Sequence, residues 1–155
     1  MAESHRITRI LLVEDTPDDI EITKKALNEA KIINKLWIVR DGQEALDFLQ
    51  RKGDYQDPST SPKPGLVLLD INLPKLNGID VLRIVKEDAD LKRIPVVMLT
   101  VSKRDEDIVR SYNLGCNSFI QKPVNFENFV EVVKQVSLYW GLLNIVPPNG
   151  LEEEE

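Results

Sequence analysis

Cysteine, long apolar runs and net positive charge are all scarce in this 155-residue chain. Cys116 is the only cysteine, which excludes an intramolecular disulfide and a metal site built from several cysteines. No apolar run approaches the ~20 residues that a membrane helix needs, and the N-terminus lacks the apolar core of a signal peptide. The net charge of −6 argues against nucleic-acid binding, which depends on clustered Lys and Arg. We therefore expect a cytoplasmic protein that binds neither a membrane nor a nucleic acid.

The length and composition fit one domain. A chain of this size buries a substantial core but leaves little room for a second one. We assign residues 1–146 to this domain. We expect residues 147–155 to be a disordered tail, because they combine a double proline with a run of glutamates. Residues 142–146 are too apolar for a free tail, so we expect them to dock on their own domain or on a second copy.

Short apolar runs alternate with longer amphipathic stretches about five times along the chain, as in βα units around a parallel sheet. The apolar runs predict strands at residues 7–13, 36–39, 66–70, 95–100 and 118–121. The amphipathic stretches predict helices at residues 17–30, 42–51, 78–87, 105–114 and from 125 onward. Continuous apolar runs such as LVLLD are typical of parallel strands buried on both faces. The fold class is therefore α/β, with a doubly wound five-stranded parallel sheet.

One segment interrupts this rhythm. Residues 52–65, with the sequence KGDYQDPSTSPKPG, are rich in Pro, Ser, Asp and Gly, which predicts a long exposed loop. Loops absorb extra length at a small entropic cost, so a tolerated insertion is the simplest interpretation. The sequence assigns this loop no functional role.

Polar residues follow four of the predicted strands. In a doubly wound sheet, ligands bind beyond the carboxyl ends of the strands, so these residues should line one crevice. The first strand ends in Glu14 and Asp15, the third ends in Asp70, and the fourth ends in Thr100. Lys122 follows the fifth strand. We therefore expect three carboxylates, one hydroxyl and one ammonium to converge.

This set of side chains predicts phosphoryl chemistry with a metal ion. Three close carboxylates repel one another and have raised pKa values unless a cation shares the site. Oxygen ligands with room for water and a phosphoryl oxygen suit Mg2+. With the metal bound, Asp70 can act as a nucleophile toward phosphorus. Lys122 would offset charge on one phosphoryl oxygen and Thr100 would donate to another. Each residue alone could instead cap a helix or end a strand, but their coincidence at four strand ends favours function.

The chain from Ile7 to Trp140 resembles the CheY-like receiver domains of two-component signalling. The resemblance implies a flavodoxin/CheY-like sheet with the strand order 2-1-3-4-5. It identifies the acid pair, the phosphoacceptor, the switch hydroxyl and the family's lysine as Glu14 and Asp15, Asp70, Thr100 and Lys122. It also implies a cis peptide bond before Pro123, which an X-Pro bond tolerates.

The segment LLDINLPKLNGIDVL, residues 68–82, resembles the phosphorylation loop of receivers. The resemblance implies that Asn72 lends its backbone carbonyl to Mg2+, that Pro74 shapes the loop and that Gly78 starts the next helix. At the family's aromatic switch position the chain has Phe119 where many relatives carry Tyr. A contact through a ring hydroxyl is therefore ruled out, although rotation of the ring remains possible.

Three further segments resemble one branch of the family, the stand-alone receivers of the Rcp type that are paired with bacterial phytochrome histidine kinases. They are RDGQEALDFL, SYNLGCNSFIQKPV and the pair Tyr139–Trp140. The resemblance implies a histidine kinase partner, which in this branch is a phytochrome, together with a homodimer and no output domain. His5 is the only histidine and precedes the first strand, so the phosphoryl donor must be a separate protein or a small acyl phosphate.

The signal is expected to leave through the face formed by the fourth helix, the fifth strand and the fifth helix. A phosphoryl group adds about −1.5 to −2 charge, which would draw Thr100 toward it and let Phe119 turn into the vacated space. Such coupling shifts a two-state equilibrium by about 1–3 kcal/mol. Candidate contacts for an unknown downstream protein are Arg110, Tyr112 and Asn113.

Other functions share parts of this pattern. A flavodoxin-like protein cradles a cofactor phosphate after the first strand, where Glu14 and Asp15 would repel it. A haloacid-dehalogenase-type phosphatase has a second Asp two residues after the first, where this chain has Asn72, and the Walker pattern is absent. We therefore expect no bound cofactor except Mg2+, and no enzyme activity beyond the protein's own phosphorylation and dephosphorylation. The remaining alternative is a receiver-like interaction module that works without phosphorylation.

Overall fold

The computed structural model describes residues 8–30, 34–111, 113–114 and 118–136. Strands and helices alternate regularly through this part of the chain. In chain order they are β1 (Thr8–Val13), α1 (Pro17–Glu29), β2 (Asn34–Val39), α2 (Gly42–Gln50), β3 (Leu66–Asp70), α3 (Gly78–Glu87), β4 (Val96–Thr100), α4 (Lys103–Ser111), β5 (Ser118–Gln121) and α5 (Phe126–Val136). The βα rhythm expected from the apolar runs is therefore present.

The strands form one parallel sheet in the order β2-β1-β3-β4-β5. Ile10 of β1 pairs with Leu36 on one side and with Leu66 on the other. The order reverses direction between β1 and β3, and a doubly wound sheet opens its ligand crevice at such a point. The fold class and the strand order 2-1-3-4-5 are both confirmed.

Helices cover both faces of the sheet, and each face packs its own core. β3 and β4 are buried at every position, as their continuous apolar runs predict. Because successive strand residues point to opposite faces, alternate residues enter different cores. One core joins α2, α3 and α4 to strand residues that include Leu11, Leu69 and Met98. The other joins α1 and α5 to residues that include Leu12 and Leu68. The two layers hold the strand ends in fixed positions.

Most helix boundaries agree with the sequence, but α4 begins at Lys103, two residues before the predicted start at Asp105. The reason is a cap that the prediction overlooked. The backbone N–H of Asp105 donates to Ser102 Oγ at 3.2 Å, and Val101 N–H donates to the Asp105 carboxylate at 3.2 Å. This reciprocal pair satisfies two backbone donors at the start of the helix. Asn125 caps α5, because its side-chain oxygen accepts from Asn128 N–H at 2.8 Å.

The loop at residues 52–65 is anchored to the domain, although most of it is exposed as predicted. Trp37 Nε1 on β2 donates to the Thr60 carbonyl at 3.1 Å. The rings of Phe48 on α2 and Tyr55 in the loop lie 5.2 Å apart, and Ser61 is buried. The loop therefore packs against Trp37 of β2 and Phe48 of α2. The predicted exposure is confirmed for most of the loop, and buried Ser61 is an exception.

Several predictions fall on residues that the structure does not describe. They concern the apolar segment 142–146, the tail 147–155, and His5, Tyr112, Cys116 and Trp140. Among the described helices, none is both long enough and apolar enough to span a bilayer.

Candidate functional site

Three carboxyl groups meet where β1 and β3 end side by side. Oxygen atoms of Glu14, Asp15 and Asp70 all lie within 4.8 Å of one another. Glu14 and Asp70 are buried. The N–H of Glu14 donates to the Val39 carbonyl at 3.0 Å, which extends the pairing of β1 with β2 and fixes the backbone at the site. The structure thus brings together the three acids that the sequence placed at the strand ends.

Lys122 reaches this cluster from the end of β5. Its backbone N–H donates to the Thr100 carbonyl at 2.6 Å, and the Lys122–Pro123 peptide bond is cis, as the resemblance implied. The ammonium Nζ lies 3.0 Å from Glu14 Oε1 and 3.2 Å from Asp70 Oδ2. Only 11% of the side chain is exposed. The predicted ammonium is therefore part of the acidic site.

A fourth carboxylate, which was not predicted from the sequence, also belongs to the site. Asp19, in the first turn of α1, places Oδ2 at 3.1 Å from Lys122 Nζ. Acidic residues are common in a first helical turn because they interact favourably with the helix dipole. Asp18 and Asp19 both fit that pattern. They follow Asp15 by three and four residues, respectively, which was the only available signal and did not single out Asp19.

Burial and mutual repulsion set the protonation of the acids. Burial, followed by the charge of Asp70, raises the pKa of Glu14 from its ordinary 4.5 to about 7, and the bond to Lys122 opposes this rise only partly. Burial likewise raises the pKa of Asp70 against the opposing charge of Lys122. Burial by itself would lower the pKa of Lys122, but its bond to Glu14 and the charge of Asp70 raise it overall. The site therefore holds more negative charge than one ammonium neutralises.

Thr100 contributes a buried hydroxyl without a partner. Its Oγ1 is inaccessible to solvent and makes no hydrogen bond to the described residues. Leaving a buried polar atom unpaired costs about 1–3 kcal/mol, so each case requires an explanation. Asp70 pairs with Leu99 across β3 and β4, which places Thr100 beside the acidic cluster. A free donor at this position suits an oxygen atom of a group attached to Asp70.

The loop after β3 is closed tightly around Asp70. A Cβ atom on Gly78 would lie 2.1 Å from the Asp70 carbonyl oxygen, so only glycine fits there. Gly78 N–H donates to the Ile71 carbonyl at 2.7 Å. The backbone N–H of Asn72 bonds to the Asp70 carboxylate. The structure thus places Asn72, the predicted carbonyl ligand, and Pro74 within this loop.

Phe119 lies half-buried on β5, at the predicted aromatic switch position. The guanidinium carbon of Arg110, an exposed residue of α4, lies 4.4 Å from the centre of its ring. Cation–π contacts of this kind contribute about 0.5–1 kcal/mol at exposed sites. Asn113 is exposed beyond the end of α4. Two of the three predicted surface contacts, Arg110 and Asn113, are therefore accessible.

The donor atoms of the site fit a hard divalent cation. Carboxylate oxygens are the ligands that Mg2+ and Mn2+ prefer, and three of them lie within reach of one ion. The positive charge would relieve the repulsion that raises the pKa of Glu14. The unpaired hydroxyl of Thr100 and the ammonium of Lys122 are donors for an anion at the same place. The residues present therefore fit a metal ion together with an anionic group.

The sequence is similar to known proteins along most of its length. Residues 10–134 match the family described as "Response regulator receiver domain". The chain is 41% identical over 138 residues to "Response regulator Rcp1" of Synechocystis sp., and the alignment covers 89% of this chain and 92% of that protein. The predicted resemblance to Rcp-type receivers is thus confirmed.

Solved structures agree with this assignment. The bacteriophytochrome response regulator RtBRR superposes with a TM-score of 0.82 at 44% identity, covering 92% of this chain and 86% of that chain. The Mn2+-bound form of Rcp1 gives 0.68 at 41% identity over 86% and 94% of the two chains. The phosphorylated cyanobacterial phytochrome response regulator RcpA gives 0.70 at 39% identity over 87% and 94%. The chain belongs to the response-regulator receiver family.

Proposed function

We propose that this response regulator accepts a phosphoryl group on Asp70 in a Mg2+-dependent reaction. The observation that carries the proposal is the arrangement around Asp70, where a buried ammonium lies 3.2 Å away and the buried hydroxyl of Thr100 has no partner among the described residues. These are the two donors that a phosphoryl group on Asp70 would use. Relatives of this chain include a metal-bound and a phosphorylated form, which supports the same chemistry.

In the transfer step, a carboxylate oxygen of Asp70 attacks phosphorus and a new O–P bond forms. The bond from phosphorus to the donor's histidine nitrogen breaks, and the nitrogen keeps the electron pair. With a small acyl phosphate, the P–O bond breaks instead and the carboxylate leaves. Lys122 offsets charge on one phosphoryl oxygen, and Thr100 donates to another.

Mg2+ would be held by the carboxylates of Glu14, Asp15 and Asp70 and the backbone carbonyl of Asn72. When bound, it supplies positive charge that lowers the repulsion between the acids and an anionic donor. Glu14 is then kept ionised, because a neighbouring cation favours the charged form of a carboxyl group.

We propose no turnover on other substrates. Phosphatases that use a strand-end Asp have a second Asp two residues later as acid and base, and this chain has Asn72 at that position. The N–H of Asn72 instead bonds to Asp70 and helps to orient it. The protein would therefore catalyse only its own phosphorylation and dephosphorylation.

The signal would leave through the α4-β5-α5 surface. A phosphoryl group would accept a hydrogen bond from the Thr100 hydroxyl, and the resulting movement of Thr100 would change the space available to Phe119. The guanidinium of Arg110 lies over the ring of Phe119. Apolar side chains are exposed on and just before α4: Val101 is 56% exposed and Ile108 is 40% exposed. Exposed apolar residues beside a switch are suited to binding a partner protein. The response is a population shift of about 1–3 kcal/mol on this surface.

The proposed partners are a histidine kinase, a downstream protein and a second copy of the chain. The kinase is proposed to be a phytochrome, because several relatives are described as phytochrome or bacteriophytochrome response regulators. The homodimer is proposed from the resemblance to the Rcp-type branch, and the apolar residues 142–146 of the sequence are suited to docking on a second copy. Phosphotransfer from a phytochrome kinase, compared with an unrelated histidine kinase at equal concentration, tests the kinase assignment.

Incubation with acetyl phosphate tests the chemistry. The intact mass is recorded with Mg2+, with a chelator, and for Asp70→Asn, which keeps the shape of the side chain but removes the nucleophile. We expect one phosphoryl adduct that requires both Mg2+ and Asp70. A folded protein that binds Mg2+ but forms no adduct would contradict the proposal and favour an interaction module that works without phosphorylation.

A further inference from the structure

We infer that Asp19 restrains Lys122 in the resting protein and thereby slows phosphorylation of Asp70. Asp19 would be a positioning residue, because it acts through the ammonium and not on the phosphoryl group. The inference rests on the proposed function, since it concerns how fast that reaction proceeds.

Three carboxylate oxygens surround the ammonium of Lys122. It donates hydrogen bonds to Glu14 at 3.0 Å and to Asp19 at 3.1 Å, and it forms an ion pair with Asp70 at 3.2 Å. A phosphoryl oxygen must compete with these acceptors for the ammonium. The order in which they are released therefore controls how readily the lysine meets the incoming group.

Asp19 differs from the other two carboxylates in position and exposure. Glu14 and Asp70 end neighbouring strands and belong to the cluster of oxygens that fits a metal ion. Asp19 lies on α1, outside that cluster, and its side chain is 29% exposed whereas that of Glu14 is fully buried. Its contact with the site runs through Lys122.

Binding of a metal ion makes this difference important. A metal ion held by Glu14 and Asp70 would compete with Lys122 for their oxygens. Asp19 lies outside that cluster, so its bond to the ammonium would be retained. It is therefore the acceptor that competes with the phosphoryl oxygen for Lys122 once the site is loaded.

Removal of the Asp19 charge should free the ammonium for the phosphoryl group. A part-exposed charged pair is screened by solvent, so we expect Asp19→Asn to accelerate adduct formation by about three- to tenfold. Beryllofluoride, which occupies the phosphoryl position without covalent chemistry, should bind more tightly by a similar factor.

In the covalent reaction the acyl P–O bond of acetyl phosphate breaks, acetate leaves with the electron pair, and phosphorus bonds to Asp70.

Asp18 provides a matched control on the same helical turn. Asp18 is exposed. Asp18 and Lys122 are both among the described residues, and no hydrogen bond or ion pair joins them. Asp18→Asn removes the same negative charge from the start of α1. It therefore reproduces any general decrease in the repulsion between the protein and an anionic phosphoryl donor. Asp19→Glu keeps the charge and should remain within about twofold of the wild-type rate, since one added methylene preserves the ion pair.

The experiment has three readouts on the full chain. They are the rate of adduct formation at subsaturating acetyl phosphate with fixed Mg2+, the affinity for beryllofluoride, and the ammonium resonance of Lys122 in metal-free protein labelled with 15N-lysine. We expect Asp19→Asn to shift that resonance and raise the rate and the affinity. Asp18→Asn should leave the resonance in place and change the rate by less than about twofold, because its charge is exposed and screened.

The proposed restraint is overturned if Asp19→Asn forms the adduct no faster than Asp18→Asn, or more slowly than the wild-type protein. Asp19→Ser, a second neutral variant, gives the same decision if Asp19→Asn folds poorly. A wild-type protein without any adduct overturns the proposed function and the restraint together. An adduct on wild type with unchanged rates in both neutral variants overturns the restraint alone.

Discussion

Without a bound metal ion, the stability of this protein should depend on pH through Glu14. The folded protein raises the pKa of Glu14 from its ordinary 4.5 to about 7, chiefly by burial and by the nearby charge of Asp70. A group with a raised folded pKa contributes stability below its unfolded pKa, and this contribution is lost as the pH rises through the folded value. The metal-free protein should therefore lose stability between about pH 4.5 and about pH 7.

The magnitude follows from the size of the shift. One pKa unit corresponds to about 1.36 kcal/mol, so the change at Glu14 corresponds to about 3 kcal/mol in the free energy of unfolding. The raised pKa of Asp70 acts in the same direction. Bound Mg2+ should remove the dependence, because it stabilises both ionised carboxylates.

Urea unfolding from about pH 5 to about pH 8, with a chelator or with saturating Mg2+, measures these free energies. Glu14→Gln is the matched variant, because it keeps the side-chain shape but cannot titrate. We expect a falling curve for metal-free wild type, and a flatter one for Glu14→Gln and for the Mg2+-bound protein. A metal-free curve that is level or rising over this range, or an equal slope in the variant, would show that Glu14 does not cause the pH dependence.

Three other substitutions probe separate parts of the structure. Gly78→Ala should lower the free energy of unfolding by about 3 kcal/mol, because the added Cβ collides with the Asp70 carbonyl; a loss under about 1 kcal/mol would show that the loop can relax. Thr100→Val should stabilise metal-free protein by about 1 kcal/mol, because it removes an unpaired buried hydroxyl, and should slow adduct formation; a less stable variant would mean that the hydroxyl is satisfied. Trp37→Phe should cost about 1 kcal/mol and speed proteolysis of the 52–65 loop, because the bond to Thr60 is lost; unchanged cleavage would contradict the anchoring.

The fold could be predicted from the sequence because local patterns and strand geometry agree. The runs ending at Val13, Asp70 and Thr100 are apolar at nearly every position, as is typical of parallel strands that are covered on both faces. Parallel strands present their carboxyl ends at one edge, so the residues after them had to meet. The position of Glu14 beside Asp70 could therefore be predicted without any tertiary information.

The features that were missed depend on contacts between distant parts of the chain. Asp19 and Lys122 are separated by 103 positions, and nothing in the first turn of α1 distinguishes Asp19 from Asp18. The loop at residues 52–65 has the composition of an exposed insertion, and its anchor is supplied by Trp37 from another element. The early start of α4, by contrast, has a local signal in the sequence. Ser102 stands three residues before Asp105, which is the spacing of a capping box.

The position of the phosphoryl group is the most direct test of the central claim. Protein treated with acetyl phosphate and Mg2+ is reduced with borohydride, which converts a phosphorylated aspartate to homoserine, and its peptides are sequenced by tandem mass spectrometry. We expect homoserine at position 70, and unmodified Asp15 and Asp19. Homoserine at another acidic residue, or at none although the protein carries an adduct, would contradict the assignment of Asp70 as the phosphoacceptor.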